Sequence, residues 1–220
     1  MVPSNLTIQE LSNPTEEFVE EAAKLFSILM VADPAAIALT GGNIGLIPTM
    51  ARAMIKPAAL LAGDVYTATD ENGVLIGFTI WIRPGEVLFA TEEQRAMGFY
   101  GFLDKLSDEG KVYYPQVLGK DFPKFIDESV GVPSTEMASY WCYFAMVRAD
   151  YQGKGVAKAL FGLAYEKAKK NGDMMALATT NVRNVAIYEK IGMKVKGHTV
   201  MPSPWKEWPA WTFARDTKVE

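Results

Sequence analysis

The sequence predicts an α/β fold whose elements run β-α-α-β-β-insertion-β-α-β-α-β-β. Three observations carry this. Strand-like and helix-like segments alternate from Tyr140 to the end of the chain, an Asn-Gly pair at 72–73 joins two β-rich runs, and an amphipathic helix with start signals follows the first strand. With 220 residues, 49% hydrophobic and 22% charged, the composition suits one well-filled globular domain, expected to span 1–220.

The elements follow in order. "NLTIQEL" (5–11) opens as a strand. In "NPTEEFVEEAAKLFSILM", Asn13 is placed to cap a helix, Pro14 suits the first helical position, and Glu16 completes a capping box. Phe18, Ala22, Leu25, Phe26 and Leu29 then share one helical face. "ADPAAIALTGGNIG" reads as a loop, and its glycines 41, 42 and 45 lack the lysine and Ser/Thr of a phosphate-binding loop. Ile47, Met50, Met54, Ala58 and Leu61 mark a second helix that Pro57 should kink or divide. The hairpin at 64–82 turns at Asn72-Gly73, a pair suited to positive φ, and its second run is apolar enough to be covered on both faces.

Residues 86–138 form an insertion between the third and fourth strands, with a helix expected from the Thr91/Gln94 capping signal through Met97, Phe99, Phe102, Leu103 and Leu106, and a short one at "DFPKFIDESV". Beyond it come the strand "YWCYFAMV", the turn "RADYQGKG" and a helix with Val156, Leu160, Leu163, Ala164 and Ala168 on one face. "DMMALATT" is a strand, "NVRNVAIYEKIG" a short helix stopped by Gly192, and "MKVKGHTVM" and "PAWTFARDT" are closing strands.

Composition narrows the chemistry. A net charge of -4 without a basic cluster argues against nucleic-acid binding, which needs cations to neutralise phosphates. The N-terminus lacks the pattern of a secretory signal, and "LFSILMVA" meets Asp33 far short of the roughly 20 residues a membrane span needs, so a soluble cytoplasmic protein without membrane association is expected. Cys142 and His198 are each alone of their kind, too few for a His/Cys zinc site. No serine stands in a G-x-S-x-G elbow. A Cys142–His198 thiol pair is the nucleophilic arrangement left, beside the plain reading of both as packed residues.

The informative stretch is "DYQGKGVAKAL" (150–160). A strand that enters a helix through glycines leaves the first N–H groups of the helix unpaired, with the positive end of its dipole behind them. Gly153 and Gly155 let this backbone approach an anion, and Lys154 or Lys158 adds charge; a pyrophosphate is the fitting ligand. A dinucleotide-binding turn fits poorly, because Lys158 occupies its third small-residue position and residues 148–152 separate the strand from Gly153. Asp173 stands where a ribose-binding acid would, yet too little chain follows for that fold.

"QGKGVA" (152–157) resembles the Q/R-x-x-G-x-G/A motif of the GNAT N-acetyltransferase superfamily, and "NVRNVAIYEKIGMK" resembles that family's second cofactor-binding segment. The resemblance covers about residues 138–195. It implies a mixed, centrally splayed sheet flanked by helices, the acyl-CoA N-acyltransferase fold, and direct transfer of acetyl from acetyl-CoA to a primary amine. Gln152, Gly153, Lys154, Gly155, Val156 and Ala157 would cradle the pyrophosphate. Met146 and Val147 would offer main-chain groups to the pantetheine and thioester, Asn184 would bond the pantetheine arm, and Tyr188 would protonate the CoA sulfur. Several family members place a glutamate at the start of the strand before the motif, where this chain has Tyr140, Trp141 and Cys142. The base would then be Glu136 or a water relayed by Tyr140 or Tyr143, while an amine that is already neutral in the pocket would need no strong base. The acceptor is expected to be a small-molecule amine held by the first two helices, the insertion and the loop bearing Trp205 and Trp208. A protein amine as acceptor, or a non-catalytic acyl-CoA-binding module, are the alternatives.

Overall fold

The computed structural model describes residues 2–218. Its strands are β1 (Thr7–Glu10), β2 (Gly63–Thr69), β3 (Leu75–Ile82), β4 (Tyr140–Val147), β5 (Met175–Thr179), β6 (Lys194–Met201) and β7 (Trp208–Arg215). They form one sheet in the order β1-β2-β3-β4-β5-β7-β6. Every neighbouring pair is antiparallel except β4 and β5, which run parallel. That pair holds only from Tyr140↔Met175 to Cys142↔Leu177, after which the strands part. The mixed, centrally splayed sheet is therefore present, with its split beginning beyond Cys142.

Helices cover both faces. On one side α1 (Glu16–Met30) packs on α3 (Ile47–Pro57), burying Phe18, Phe26, Met50 and Ile55 against Phe78, Ile80 and Phe144 of the sheet. On the other, α9 (Val156–Asn171) and α10 (Val185–Ile191) bury Leu160, Phe161, Ala164 and Tyr188 against Trp81, Cys142 and Phe213. β3 is buried along its whole length, as its continuous apolar run requires. Ile44–Ala62 has the length and composition to cross a bilayer, but α3 within it supplies core residues to the face shared with α1.

Local departures from the sequence reading have identifiable causes. The cap of α1 is Thr15, whose hydroxyl accepts from Phe18 N, so the helix starts later than an Asn13 cap would set it. The segment read as a loop holds α2 (Pro34–Leu39), where Asp33 caps two N–H groups and Pro34 fills the first turn. Gly41 and Gly42, both at positive φ, follow it beneath the Trp205 ring. Pro57 closes α3, and the chain continues as a wider π-turn over Ala58–Ala62. The 70–74 turn is longer than a two-residue hairpin: Asp70 Oδ1 accepts from Asn72 N and Val74 N, and Gly73 rather than Asn72 takes the positive φ.

Between β3 and β4 lie α4 (Glu92–Ala96), α5 (Phe99–Leu103), α6 (Asp108–Gln116), α7 (Phe122–Val130) and α8 (Thr135–Ala138). The single helix expected from Thr91 is two, because Gly98 at φ 133° breaks it. α6 has Pro115 inside it and a weak apolar stripe, which left it without a sequence signal.

Candidate active site

The turn into α9 is built as its glycines require. Gly153 and Gly155 sit at φ 75° and 80°, a region that costs a residue with a Cβ about 1–2 kcal/mol. Gly155 is the N-cap of α9 and brings no side-chain cap. Gln152 instead ties the turn back to β4, its Nε2 donating to Val147 O at 3.0 Å. Among the described residues, the backbone bonds of this turn begin at Ala159 N to Gly155 O and leave the N–H groups of 153–158 without a main-chain partner. No protein atom would meet a Cβ at Gly153 within 4 Å, so the space before it is open. An anion of pyrophosphate size fits this run of donors. Lys158 lines the adjoining cavity, whereas Lys154 Nζ lies 5.0 Å from the centre of the Tyr151 ring.

That cavity, about 1550 Å³, runs from Gly153, Gly155, Val156 and Ala157 through the gap between β4 and β5 to the helices inserted before β4. Met146 and Val147 stand on its wall where β4 has lost β5 as a partner. Asn184, the N-cap residue of α10, and Tyr188 within that helix both line the cavity. Asn184 Nδ2 donates to Thr179 Oγ1 at 3.1 Å, which leaves its carbonyl oxygen for a ligand. Tyr188 is wedged between Phe161 and Phe213, and burial, with the Cys142 thiol nearby, pushes its hydroxyl far above its ordinary pKa. It therefore holds its proton at neutral pH. Burial also pushes the Cys142 thiol up, and its Sγ donates to Phe144 O at 3.2 Å, so it is no ready nucleophile. His198 stacks on Trp211 three strands away, about 14 Å across the sheet. The Cys142–His198 pair is thereby excluded.

At the other end, Tyr143 Oη donates to Glu136 Oε2 at 2.7 Å. Burial raises the Glu136 pKa, the bond from Tyr143 lowers it, and Asp127 raises it; the net direction is upward. A carboxylate so placed is a stronger proton acceptor than a solvated one. A bulge in β4 makes this contact. Ile80 pairs with Phe144 and Trp81 with Cys142, leaving Tyr143 as the extra residue. Neighbouring side chains of a strand normally point to opposite faces, yet Tyr143 and Phe144 both pack on the α1/α3 side and both line the cavity. Tyr140 points elsewhere: its hydroxyl donates to the buried Asp64 and meets Tyr66 Oη, and it does not line the cavity.

Residues 124–193 match the model of the "Acetyltransferase (GNAT) family". Over that segment the chain is similar to the GNAT acetyltransferases. No curated protein matches its sequence. Among solved structures, a Corynebacterium glutamicum "histone acetyltransferase HPA2 and related acetyltransferase" is 16% identical, with 96% of each chain covered and a TM-score of 0.62. Arylalkylamine N-acetyltransferase 2 from Aedes aegypti is 14% identical over 97% of this chain and 100% of that one, TM-score 0.59. A GCN5-related N-acetyltransferase from Rhodopseudomonas palustris is 13% identical over 98% of each, TM-score 0.56. At these identities the likeness is one of fold.

The sequence motifs point to the turn before α9 and to Asn184 and Tyr188, all of which line the cavity, and say less about its other end. Of the two tryptophans expected there, Trp208 lines the cavity, its Nε1 donating to Tyr113 Oη at 2.9 Å, whereas Trp205 packs on Tyr113 and the Gly41-Gly42 turn outside it. Phe89, Phe99, Tyr114 and Leu118 of the inserted segment also stand on the wall. Only Phe99 among them carried a helical-face signal, and that signal marks core as readily as cavity. The Asp64 cluster had no signal, because its members are far apart in sequence.

Proposed function

We propose that this chain is an acetyl-CoA-dependent N-acetyltransferase that passes acetyl directly to a primary amine of a small molecule. One observation carries the reading. A single cavity joins the unpaired N–H run before α9 to the Glu136 carboxyl, with the β4/β5 gap between them. The names of the similar structures include both a histone and an arylalkylamine acetyltransferase, so the fold does not choose the acceptor. The small-molecule reading rests on the inserted helices, which wall the acceptor end with Phe89, Phe99, Tyr114 and Phe122.

Acetyl-CoA supplies the activated acyl group when bound. The N–H groups of 153–158 and Lys158 hold its pyrophosphate, the free side of β4 at Met146 and Val147 meets the pantetheine, and Asn184 Oδ1 accepts from it. Glu136 takes a proton from the incoming ammonium, a task its raised pKa suits. Tyr188 Oη keeps a proton at neutral pH for the departing sulfur. The buried Cys142 thiol, already donating to Phe144 O, favours direct transfer over an acyl-cysteine route.

Tyr188→Phe tests the assignment. Turnover should fall by about 100-fold or more while the Kd for acetyl-CoA, measured by calorimetry, changes little. Unchanged turnover would remove Tyr188 as the acid. Absence of thiol release from the unaltered protein across all amines, with acetyl-CoA still raising its Tm, would instead favour a non-catalytic binding module.

A further inference from the structure

The charges on the cavity wall are segregated. Lys158, Arg183 and Lys190 stand at the α9/α10 end, while Asp33, Asp127 and Glu136 come from the α1–α2 turn, α7 and α8. Two of the three acids are already committed. Asp33 accepts from Ala35 N and Ala36 N on Oδ1 and from Thr180 Oγ1 on Oδ2. Asp127 accepts from Thr135 N on Oδ1 and Ser134 N on Oδ2. Glu136 receives Tyr143 on Oε2 alone, and among the described residues no hydrogen bond reaches its Oε1. The acceptor end thus offers one uncommitted carboxylate oxygen, and no lysine, arginine or histidine shares its wall.

Apart from the Tyr114 hydroxyl, the rest of that end is largely apolar. Phe26, Met50, Met54, Phe89 and Phe99 line it, with the methionines able to adjust to different shapes. A second ammonium there would find only the Tyr114 hydroxyl and carboxylate oxygens that already accept a hydrogen bond, and a carboxylate would be buried beside acids with no cation to meet it. We propose that the acceptor is a hydrophobic monoamine, with a single primary ammonium seated on Glu136 and an uncharged alkyl or aromatic body packed among Phe26, Met50, Met54, Phe89 and Phe99. Polyamines, amino acids and aminoglycosides fit less well, because their further charged groups would meet only oxygens already in use, or acids of their own sign. This deepens the acetyltransferase reading and rests on it. The reaction balances: the N–C bond forms as the C–S bond breaks, one ammonium proton leaves through Glu136 to solvent, a second replaces the proton that Tyr188 gives to sulfur, and the third stays on the amide.

The test uses the unaltered chain, acetyl-CoA and amines of matched length, with thiol release as the readout. Along the n-alkylamines from ethylamine to octylamine, kcat/KM should rise about fourfold per methylene until the chamber is filled. Placing a second amine at the far end (α,ω-diaminooctane) or a carboxylate there (ω-aminooctanoic acid) should lower kcat/KM by on the order of 100-fold or more relative to octylamine. A flat length profile, or a diamine or amino acid used as well as octylamine, overturns the proposal while leaving the acetyltransferase reading intact. No thiol release from any amine, with acetyl-CoA still bound, overturns both.

Discussion

At the scale of single residues the candidate site depends on how Glu136 is held. Its carboxyl is half-buried and its pKa is raised by burial, with the Tyr143 hydroxyl as the opposing influence. The sign for stability follows. A carboxyl whose folded pKa exceeds its unfolded value, about 4.3, costs nothing while protonated in both states. It costs stability once pH has risen through the unfolded value, and the cost is complete above the folded one. Glu136→Gln should therefore raise Tm relative to the unaltered chain at neutral pH, with the gain vanishing toward pH 4, while kcat/KM falls by about 100-fold. A Tm gain independent of pH would remove the ionisation argument. Tyr143→Phe removes the bond that stabilises the charged form, so the acidic limb of the kcat/KM profile should move to higher pH, with activity recovering at alkaline pH. Residue-level legibility was uneven for a physical reason. Tyr188 and Asn184 sit in a motif of fixed spacing, whereas the Glu136–Tyr143 contact depends on a bulge, and nothing in "YWCYFAMV" announces where the extra residue falls. Tyr114 shows the same blindness: its buried hydroxyl lacks a partner, which no local pattern encodes.

At the scale of elements, α9 combines a costly start with an ordinary interior, and its glycines separate the two. Gly153 holds positive φ in front of open space, so Gly153→Ala should lose about 1 kcal/mol of stability from backbone strain alone. Its new methyl would stand where the proposed pyrophosphate approaches, and on that reading the Kd for CoA should rise by about tenfold or more. Gly162 lies exposed inside α9 with no atom within 4 Å of an added Cβ. There Gly162→Ala should stabilise by about 1 kcal/mol and leave CoA affinity unchanged. Urea denaturation and calorimetry on the pair check both statements. An undiminished affinity in Gly153→Ala would place the pyrophosphate elsewhere. Element existence was readable where periodicity or caps were strong, as in α1, α9 and β3. α2 was missed although Asp33-Pro34 is a start signal, since six residues show too little periodicity to outweigh the glycines that follow.

At the scale of the molecule, the split that makes the cavity needs a firm closed end, and a buried polar cluster supplies it. Asp64 of β2 accepts from Arg83 Nη2 at 2.8 Å, Lys167 Nζ of α9 at 2.9 Å and Tyr140 Oη of β4 at 2.8 Å, while Lys167 also reaches Glu10 of β1. Tyr140 is the first β4 residue paired with β5, so the cluster fixes β4 at the end from which the two strands later part. It thereby joins β1 and β2 at one edge of the sheet, β4 at its centre and α9. Burial pushes the Asp64 carboxyl up, but the bonds from Arg83, Lys167 and Tyr140 outweigh it and hold the pKa below the ordinary value. A depressed pKa contributes stability in full above the unfolded value, about 3.9, and loses it as pH falls through the folded one. Asp64→Ala should cost about 1–3 kcal/mol at neutral pH, chiefly because it leaves the buried Tyr140 hydroxyl without its acceptor. Arg83→Ala, which removes a half-exposed cation, should cost much less. Asp64→Ala should also flatten the part of the stability profile below pH 4 that belongs to this carboxylate. Urea unfolding across pH measures all three, and an Asp64→Ala cost no larger than that of Arg83→Ala would show that the closed end of the split is held by apolar packing instead.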